Sequence, residues 1–224
     1  MSPSSLISLA LALGTVLFAG AGDEKTLATV GQVPAGVSSQ ITAALNPRGY
    51  RVQSGEGTVC EVWLLKDLPV KPKFKASANV KYPFQPGQLV GVLRVGDKGE
   101  YTDFRGQTVK PGVYTLRYGQ QPQDGNHIGT SELADFLVAI PAATDNDPKP
   151  VVPAEKLHKA SAKTVGGNHP AIFSLLAPEP SAAAATLAKD DNDRWILEVR
   201  AEAIRDGKKI PLPLRLVVIG KVAG

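Results

Sequence analysis

The chain is short of cysteine, histidine and aromatic residues, and each shortage narrows the classes of protein to consider. Of 224 residues, one is cysteine and three are histidine, and aromatic residues make up 6%. A single cysteine, Cys60, excludes an internal disulfide framework, and its place in a strand-like run predicts a small buried hydrophobe. Because 22 glycines and 18 prolines accompany so few aromatics, short strands with frequent turns are favoured over long helices.

Short motifs that identify catalytic or metal sites are also missing. The sequence has no HExxH or CxxC pattern, and no serine lies in a GxSxG turn. Two acidic clusters, residues 145–147 and 190–193, lack the central glycine and terminal glutamate of a calcium-binding EF-hand loop. Both clusters are therefore interpreted as solvated turns. No catalytic residue is predicted. These absences favour a protein without catalysis over an enzyme but leave the question open.

The positive charge of the chain does not indicate nucleic-acid binding. The net charge is +4, but lysine and arginine are scattered, and the richest patch, residues 66–75, is interrupted by Asp67, Pro69 and Pro72. No basic groove with interleaved aromatics is visible. We predict no nucleic-acid partner and expect only weak attraction to anionic polymers of the cell envelope.

The N-terminus has the features of a signal peptide. Residues 6–18 are apolar but too few to span a bilayer, which takes about 20 residues. Ala19-Gly20-Ala21 is a small-x-small cleavage pattern, although residues 1–5 contain no lysine or arginine. We predict that residues 1–21 are removed near Ala21 and that the protein is exported to the periplasm or outside the cell. No later stretch is apolar enough to predict a membrane span.

Hydrophobic periodicity predicts a mainly β protein with one short N-terminal helix. Residues 34–45 place Val37, Ile41 and Leu45 on one helical face, and Asn46-Pro47 ends the helix. Residues 155–163 are a second, minor helix. Strand-like runs occupy residues 49–52, 59–66, 89–95, 101–105, 113–118, 135–140, 171–176, 194–203 and 210–220.

Turn signals between these runs favour an antiparallel β-sandwich, Ig-like or jelly-roll-like, with minor helical insertions. Asp206-Gly207 predicts a hairpin between the last two strands. Residues 69–84 are predicted to be a surface connection and residues 144–150 a polar linker. Because the segment after this linker has too few strands for its own core, residues 22–224 are predicted to form one domain.

Residues 110–141 combine two strands with a loop of unusual polarity. In the first strand, Tyr114, Leu116 and Tyr118 are predicted to face the core, with Val113, Thr115 and Arg117 on the other side. The intervening polar loop suits a loop that hydrogen-bonds its own backbone, and it also suits a ligand or metal pocket.

Two histidines lie in identical tripeptides. His127 and His169 each follow Gly-Asn, and Asp124 lies close by in sequence, so the three could bind zinc or another divalent metal if the fold brings them together. The alternative is that each tripeptide is a turn. A triad of Ser131, His127 and an aspartate is a weaker possibility. Trp63 and Trp195 could stack on a sugar, but their strand positions favour core packing.

The segment KPGVYTLRYGQQPQDGNHIGTSELADF, with the strand at residues 60–63 and the tetrapeptide at residues 167–170, resembles a group of uncharacterised exported proteins of planctomycete-type bacteria. The likeness spans most of the mature chain. It implies export and a single unit, and no activity. It nominates five residues as a ligand site: Arg117, Gln121, Asp124, Asn126 and His127.

The sequence therefore predicts an exported β-sandwich protein that acts as a non-catalytic binding or structural module of the cell envelope. Its partner would be an envelope polymer or a small ligand. One alternative is a metal-binding protein or metal-dependent hydrolase using Asp124, His127 and His169. The other is a carbohydrate-binding module.

Overall fold

Eleven strands and two helices make up the part of the chain that the structure, a computed structural model, describes: residues 24–55, 57–121, 131–180 and 184–220. The helices are α1 (Ser39–Ala44) and α2 (Ala154–Val165). The strands are β1 (Thr26–Val30), β2 (Gly49–Ser54), β3 (Gly57–Leu64), β4 (Leu68–Pro69), β5 (Leu89–Val95), β6 (Gly112–Gln120), β7 (Asp135–Pro141), β8 (Ile172–Leu176), β9 (Thr186–Lys189), β10 (Trp195–Arg205) and β11 (Lys208–Ile219).

All eleven strands belong to one sheet, which is nearly closed into a barrel. The order is β1-β2-β3-β5-β6-β7-β8-β11-β10-β4, and β9 also pairs with β10. Pairing is antiparallel except between the short β4 and β10. The sheet curves until β9 lies close to β1 at the opposite edge. The predicted mainly β, antiparallel class is confirmed, but a two-sheet sandwich is not.

The main core lies on the inner face of this curved sheet. Alternate residues of each strand point inward, among them Val62, Leu93, Leu116 and Leu137. Tyr114, Leu116 and Tyr118 are in this core, so the predicted core face of β6 is confirmed.

The outer face is covered over much of its area. One hydrophobic cluster on this face packs Trp63, Leu89 and Val92 against α1. A second cluster packs Phe136 and Val138 against α2. Strands β5 to β8 are consequently buried on both faces. Among the described residues, no helix has the length and apolarity needed to cross a bilayer.

Helix α1 is shorter than predicted and begins at Ser39 instead of residue 34. The hydroxyl of Ser38 accepts a hydrogen bond from the Ile41 amide at 3.3 Å, which caps the helix at that point. Gly36 lies before this cap with φ of 90°, in the left-handed region, so the preceding residues form a turn.

Two segments, one predicted as a surface connection and one as a strand, have structures that differ from the prediction. Residues 69–84 were expected at the surface, but Tyr82 and Phe84 are fully buried, and the Tyr82 hydroxyl donates to the Leu176 carbonyl at 2.9 Å. Residues 101–105 form no strand. Their buried Asp103 instead accepts hydrogen bonds from a neighbouring turn and from the Ile172 amide.

The predicted terminal hairpin is confirmed. Strands β10 and β11 pair along their length, with Arg205 opposite Lys208. Asp206 and Gly207 have φ values of 50° and 74°, as a two-residue turn matched to strand twist requires. Cys60 is buried in β3, as predicted, and burial raises the pKa of its thiol to about 12.

Candidate functional site

The predicted loop site lies mostly outside the described residues. Asp124, Asn126 and His127 fall in the segment 122–130, so their ligand-binding and metal-binding roles stay predictions. Gln121 is half-buried, and its backbone N–H donates to the Ala134 carbonyl at 2.8 Å. His169 is exposed beyond the end of α2.

Arg117 is the member of that predicted site whose side-chain hydrogen-bond donors are all satisfied in the structure. Its side chain is 0% exposed. Nε and one Nη donate to the two carboxylate oxygens of Asp145 at 2.5 and 2.8 Å. The remaining N–H groups donate to the carbonyls of Gly87, Asp147 and Lys149. A guanidinium has five N–H donors, and all five are used.

These contacts fasten residues 142–153, which we call the strap, across the outer face of β6. Asp145 also accepts a hydrogen bond from the Thr115 hydroxyl. The Val151 amide donates to the Gly87 carbonyl at 3.0 Å. The interpretation of Asp145 as part of a solvated turn is therefore wrong, because its carboxylate is the buried partner of Arg117. The ligand-binding role of Arg117 stays a prediction, and the structure shows it as a clamp that holds the strap.

The other candidates from the sequence are the two tryptophans, the second acidic cluster and a metal site. Trp63 and Trp195 are both buried, so core packing is confirmed and neither ring is available for a sugar. Asp190 accepts hydrogen bonds from the Asn192 and Arg194 amides, as expected for a turn. Within the described ranges, no group of three histidine, cysteine, aspartate or glutamate side chains could hold a metal ion.

A second arrangement of arginines lies on the same outer face, at the other end of the strands. Register places Arg51 of β2 opposite Glu61 of β3, and Glu61 opposite Arg94 of β5. Arg51 Nε donates to Glu61 Oε1 at 2.5 Å, and Arg94 Nη1 donates to Glu61 Oε2 at 2.8 Å. We call this row the arginine ladder. One buried carboxylate thus holds two arginines.

The ladder forms the polar side of a groove of about 370 Å³. Glu61 is 3% exposed, whereas the Arg51 and Arg94 side chains are 35% and 39% exposed. Each arginine uses one of its five N–H groups on Glu61, and within the described residues the others have no protein acceptor. The rest of the lining is uncharged: Val30, Gln32, Val33, Pro34, Ala35 and Val113.

Sequence reasoning missed this groove for a physical reason. The alternation of residues 59–66 does place Glu61 on the face opposite the core residues Cys60 and Val62. Nothing in the local pattern shows that Arg51 and Arg94 flank Glu61, because cross-strand register depends on which strands pair. Polar residues at outward positions were the only signal available.

Comparisons of the chain with protein-family models, with curated proteins and with solved structures each found no match. The resemblance to exported planctomycete-type proteins therefore stays a prediction. The described fold and site define a class only: a mainly β protein with a single curved antiparallel sheet and an arginine-lined groove on its outer face.

Proposed function

We propose that the protein is an exported, non-catalytic binding module of the cell envelope, and that the groove at the arginine ladder holds an acidic group of its ligand. The observation that carries this proposal is the pair of partly exposed arginines that share one buried carboxylate. Because Glu61 neutralises one of two positive charges, the ladder keeps a net positive charge beside a groove.

The ladder is pre-organised for such a ligand. Its three residues sit on adjacent paired strands, and each guanidinium is already oriented by Glu61. Binding would therefore cost little of the side-chain ordering that weakens most polar contacts, which is about 0.5–1.5 kcal/mol per flexible side chain. Guanidinium groups also match the planar geometry of carboxylates with paired hydrogen bonds.

Export and location in the cell envelope are supported by the sequence features of residues 1–25. The metal-binding alternative at Asp124, His127 and His169 stays a prediction, which metal analysis of the purified protein with and without His127→Ala would test. The carbohydrate alternative based on Trp63 and Trp195 has no support from their buried positions.

The proposal is tested by titrating the protein with sodium acetate and following backbone amide signals by NMR, against sodium chloride at equal ionic strength. We expect acetate-specific shifts at residues 51, 61 and 94. Arg94→Gln should reduce these shifts strongly. The matched control is Arg200→Gln, which removes an exposed strand arginine outside the groove and should leave them unchanged.

Equal shifts with chloride would contradict the proposal, since they would show only a general salt effect. Retention of the acetate shifts in a folded Arg94→Gln protein would also contradict it, because the ladder would then play no part.

A further inference from the structure

The lining of the groove carries information about the ligand beyond its acidic group. We infer that the groove takes a small amphiphilic carboxylate, with one carboxylate on Arg51 and Arg94 and an apolar body against the segment before α1. This inference rests on the proposed function and adds the class of ligand to it.

The charge of the site matches a single negative charge. Arg51, Glu61 and Arg94 sum to one positive charge, and the other lining residues are uncharged. Glu61 itself shows how a carboxylate is held there, since its two oxygens each accept from a different arginine. A ligand carboxylate on the groove side can repeat this bridge with the unused N–H groups. A planar group with one charge therefore suits the site better than a dianion.

Apart from Gln32, the remaining walls of the groove are apolar. Val30, Val33 and Val113 line it and also pack against the outer-face cluster of Ile41 and Trp63. Pro34 and Ala35 complete this side. Because the cluster is buried beneath α1, the apolar wall has a firm base. These surfaces lose contact with water when an apolar group covers them, which favours binding.

The size of the groove indicates more than a bare ion. Its volume of about 370 Å³ lies within the range of small-molecule sites. A lone acetate would fill the part near the two guanidinium groups and leave the apolar wall wet. An acidic group joined to several carbons would cover both parts.

The test is a series of straight-chain acids, acetate, butyrate and hexanoate, titrated into the intact protein, with hexanol as the uncharged control and N-acetylleucine as a mimic of a peptide carboxyl end. Each buried methylene should tighten binding by about fourfold. We expect hexanoate to bind at least about tenfold more tightly than acetate, even with its chain only partly covered.

Two variants separate the two halves of the site. Val113→Thr keeps the branched shape of the strand residue but adds a hydroxyl to the apolar wall. It should therefore weaken the binding of hexanoate by about three- to tenfold, and that of acetate by less. Arg94→Gln should weaken both acids. Thermal unfolding of each variant confirms that it is folded.

Each outcome has one meaning. Tighter binding of hexanoate or of N-acetylleucine than of acetate supports the inference, and the tighter of the two indicates whether an acyl chain or a peptide end is the source. If neither hexanoate nor N-acetylleucine binds more tightly than acetate, the inference is overturned while the acidic-ligand function stands. Hexanol that binds as tightly as hexanoate would overturn it as well. If none of the acids shifts the signals of Arg51, Glu61 and Arg94, the proposed function itself fails.

Discussion

Arg117 and the arginine ladder lie on the same outer face of one sheet, but their arginine side chains differ in exposure and in hydrogen bonding. Arg117 is fully buried and gives every N–H group to the strap and its neighbours. Arg51 and Arg94 are partly exposed, and each gives one N–H group to a shared Glu61. The difference lies in the number of protein acceptors, since Arg117 donates to one carboxylate and three carbonyls, whereas Arg51 and Arg94 share one carboxylate.

The comparison shows how a fold decides whether an arginine is structural or available. A buried guanidinium without acceptors would be costly, so the strap that covers Arg117 must also supply its acceptors. Where no strap covers the sheet, the arginines remain partly in water with donors unused. Substitutions at Arg117 and Gly87 break the clamp, and a substitution at Glu61 alters the ladder.

Arg117→Met should give the largest effect, because it leaves the Asp145 carboxylate buried without its cation. Loss of one partner of a buried ion pair costs roughly 3–5 kcal/mol of unfolding free energy. Urea denaturation measures it. Arg117→Met combined with Asp145→Leu should recover much of the loss, since both charges are then absent. If the double variant is no more stable than Arg117→Met, the clamp is not an ion pair in energetic terms.

Gly87→Ala should loosen the strap. Gly87 has φ of 80°, and an added Cβ would lie 1.9 Å from the Val151 carbonyl oxygen. We expect a loss of roughly 1–3 kcal/mol, from backbone strain together with this clash. Gly166→Ala is the matched control, because Gly166 has φ of 67° and open space around its Cβ position. Equal losses in the two variants would show that contact with the strap contributes nothing.

Glu61→Gln should tighten the binding of acetate at the ladder. It removes a competing negative charge and keeps the size of the side chain. Removal of one charge about 4 Å away is worth about 1 kcal/mol in water, or about fivefold in affinity. The stability of the protein should change by less than about 1 kcal/mol, since both arginines are partly exposed. Weaker acetate binding in this variant would show that Glu61 is needed to hold the site together.

Asp135 is a buried carboxylate outside the clamp, and its titration should have the smallest effect on stability of these changes. It accepts hydrogen bonds from the Lys81 amide and the Tyr118 hydroxyl. Burial raises its pKa above the ordinary value of 3.8. The folded state then holds its proton more tightly than the unfolded state, so this group's contribution to stability falls as pH rises from 3.8 through the raised pKa.

The pH dependence of Asp135 is measured as a difference. Unfolding free energy of the wild type and of Asp135→Asn is compared at a series of pH values from acid to neutral. We expect the wild type to lose stability relative to Asp135→Asn as pH rises. A constant difference between the two proteins would show that the pKa of Asp135 is not raised.

Local features of the fold were predictable from the sequence, and long-range ones were not. The inner face of β6 follows from the alternation of Tyr114, Leu116 and Tyr118, and the Asp206-Gly207 hairpin follows from turn chemistry. The strap was missed because Arg117 and Asp145 are 28 residues apart and nothing local pairs them. In the sequence, polar residues 145–147 have the pattern of an exposed linker, and nothing local indicates that a buried cation lies beneath them.

The shape of the sheet was beyond the sequence for a related reason. Strand runs predict the mainly β, antiparallel class, but a sandwich and a nearly closed single sheet use the same alternation. Pairing of β5 with β3 across the connection at residues 69–84 decides the register of the arginine ladder. The ladder could therefore be recognised only once the strands were placed.

The central difference between the two regions is that Arg51 and Arg94 keep N–H groups without an acceptor among the described residues, whereas every N–H group of Arg117 has one. Side-chain Nε–H signals of Arg51, Arg94 and Arg117, followed by NMR during titration with sodium acetate, test it directly. We expect the signals of Arg51 and Arg94 to shift and that of Arg117 to stay fixed and slow to exchange with water. Shifts at Arg117, or none at Arg51 and Arg94, would contradict the account.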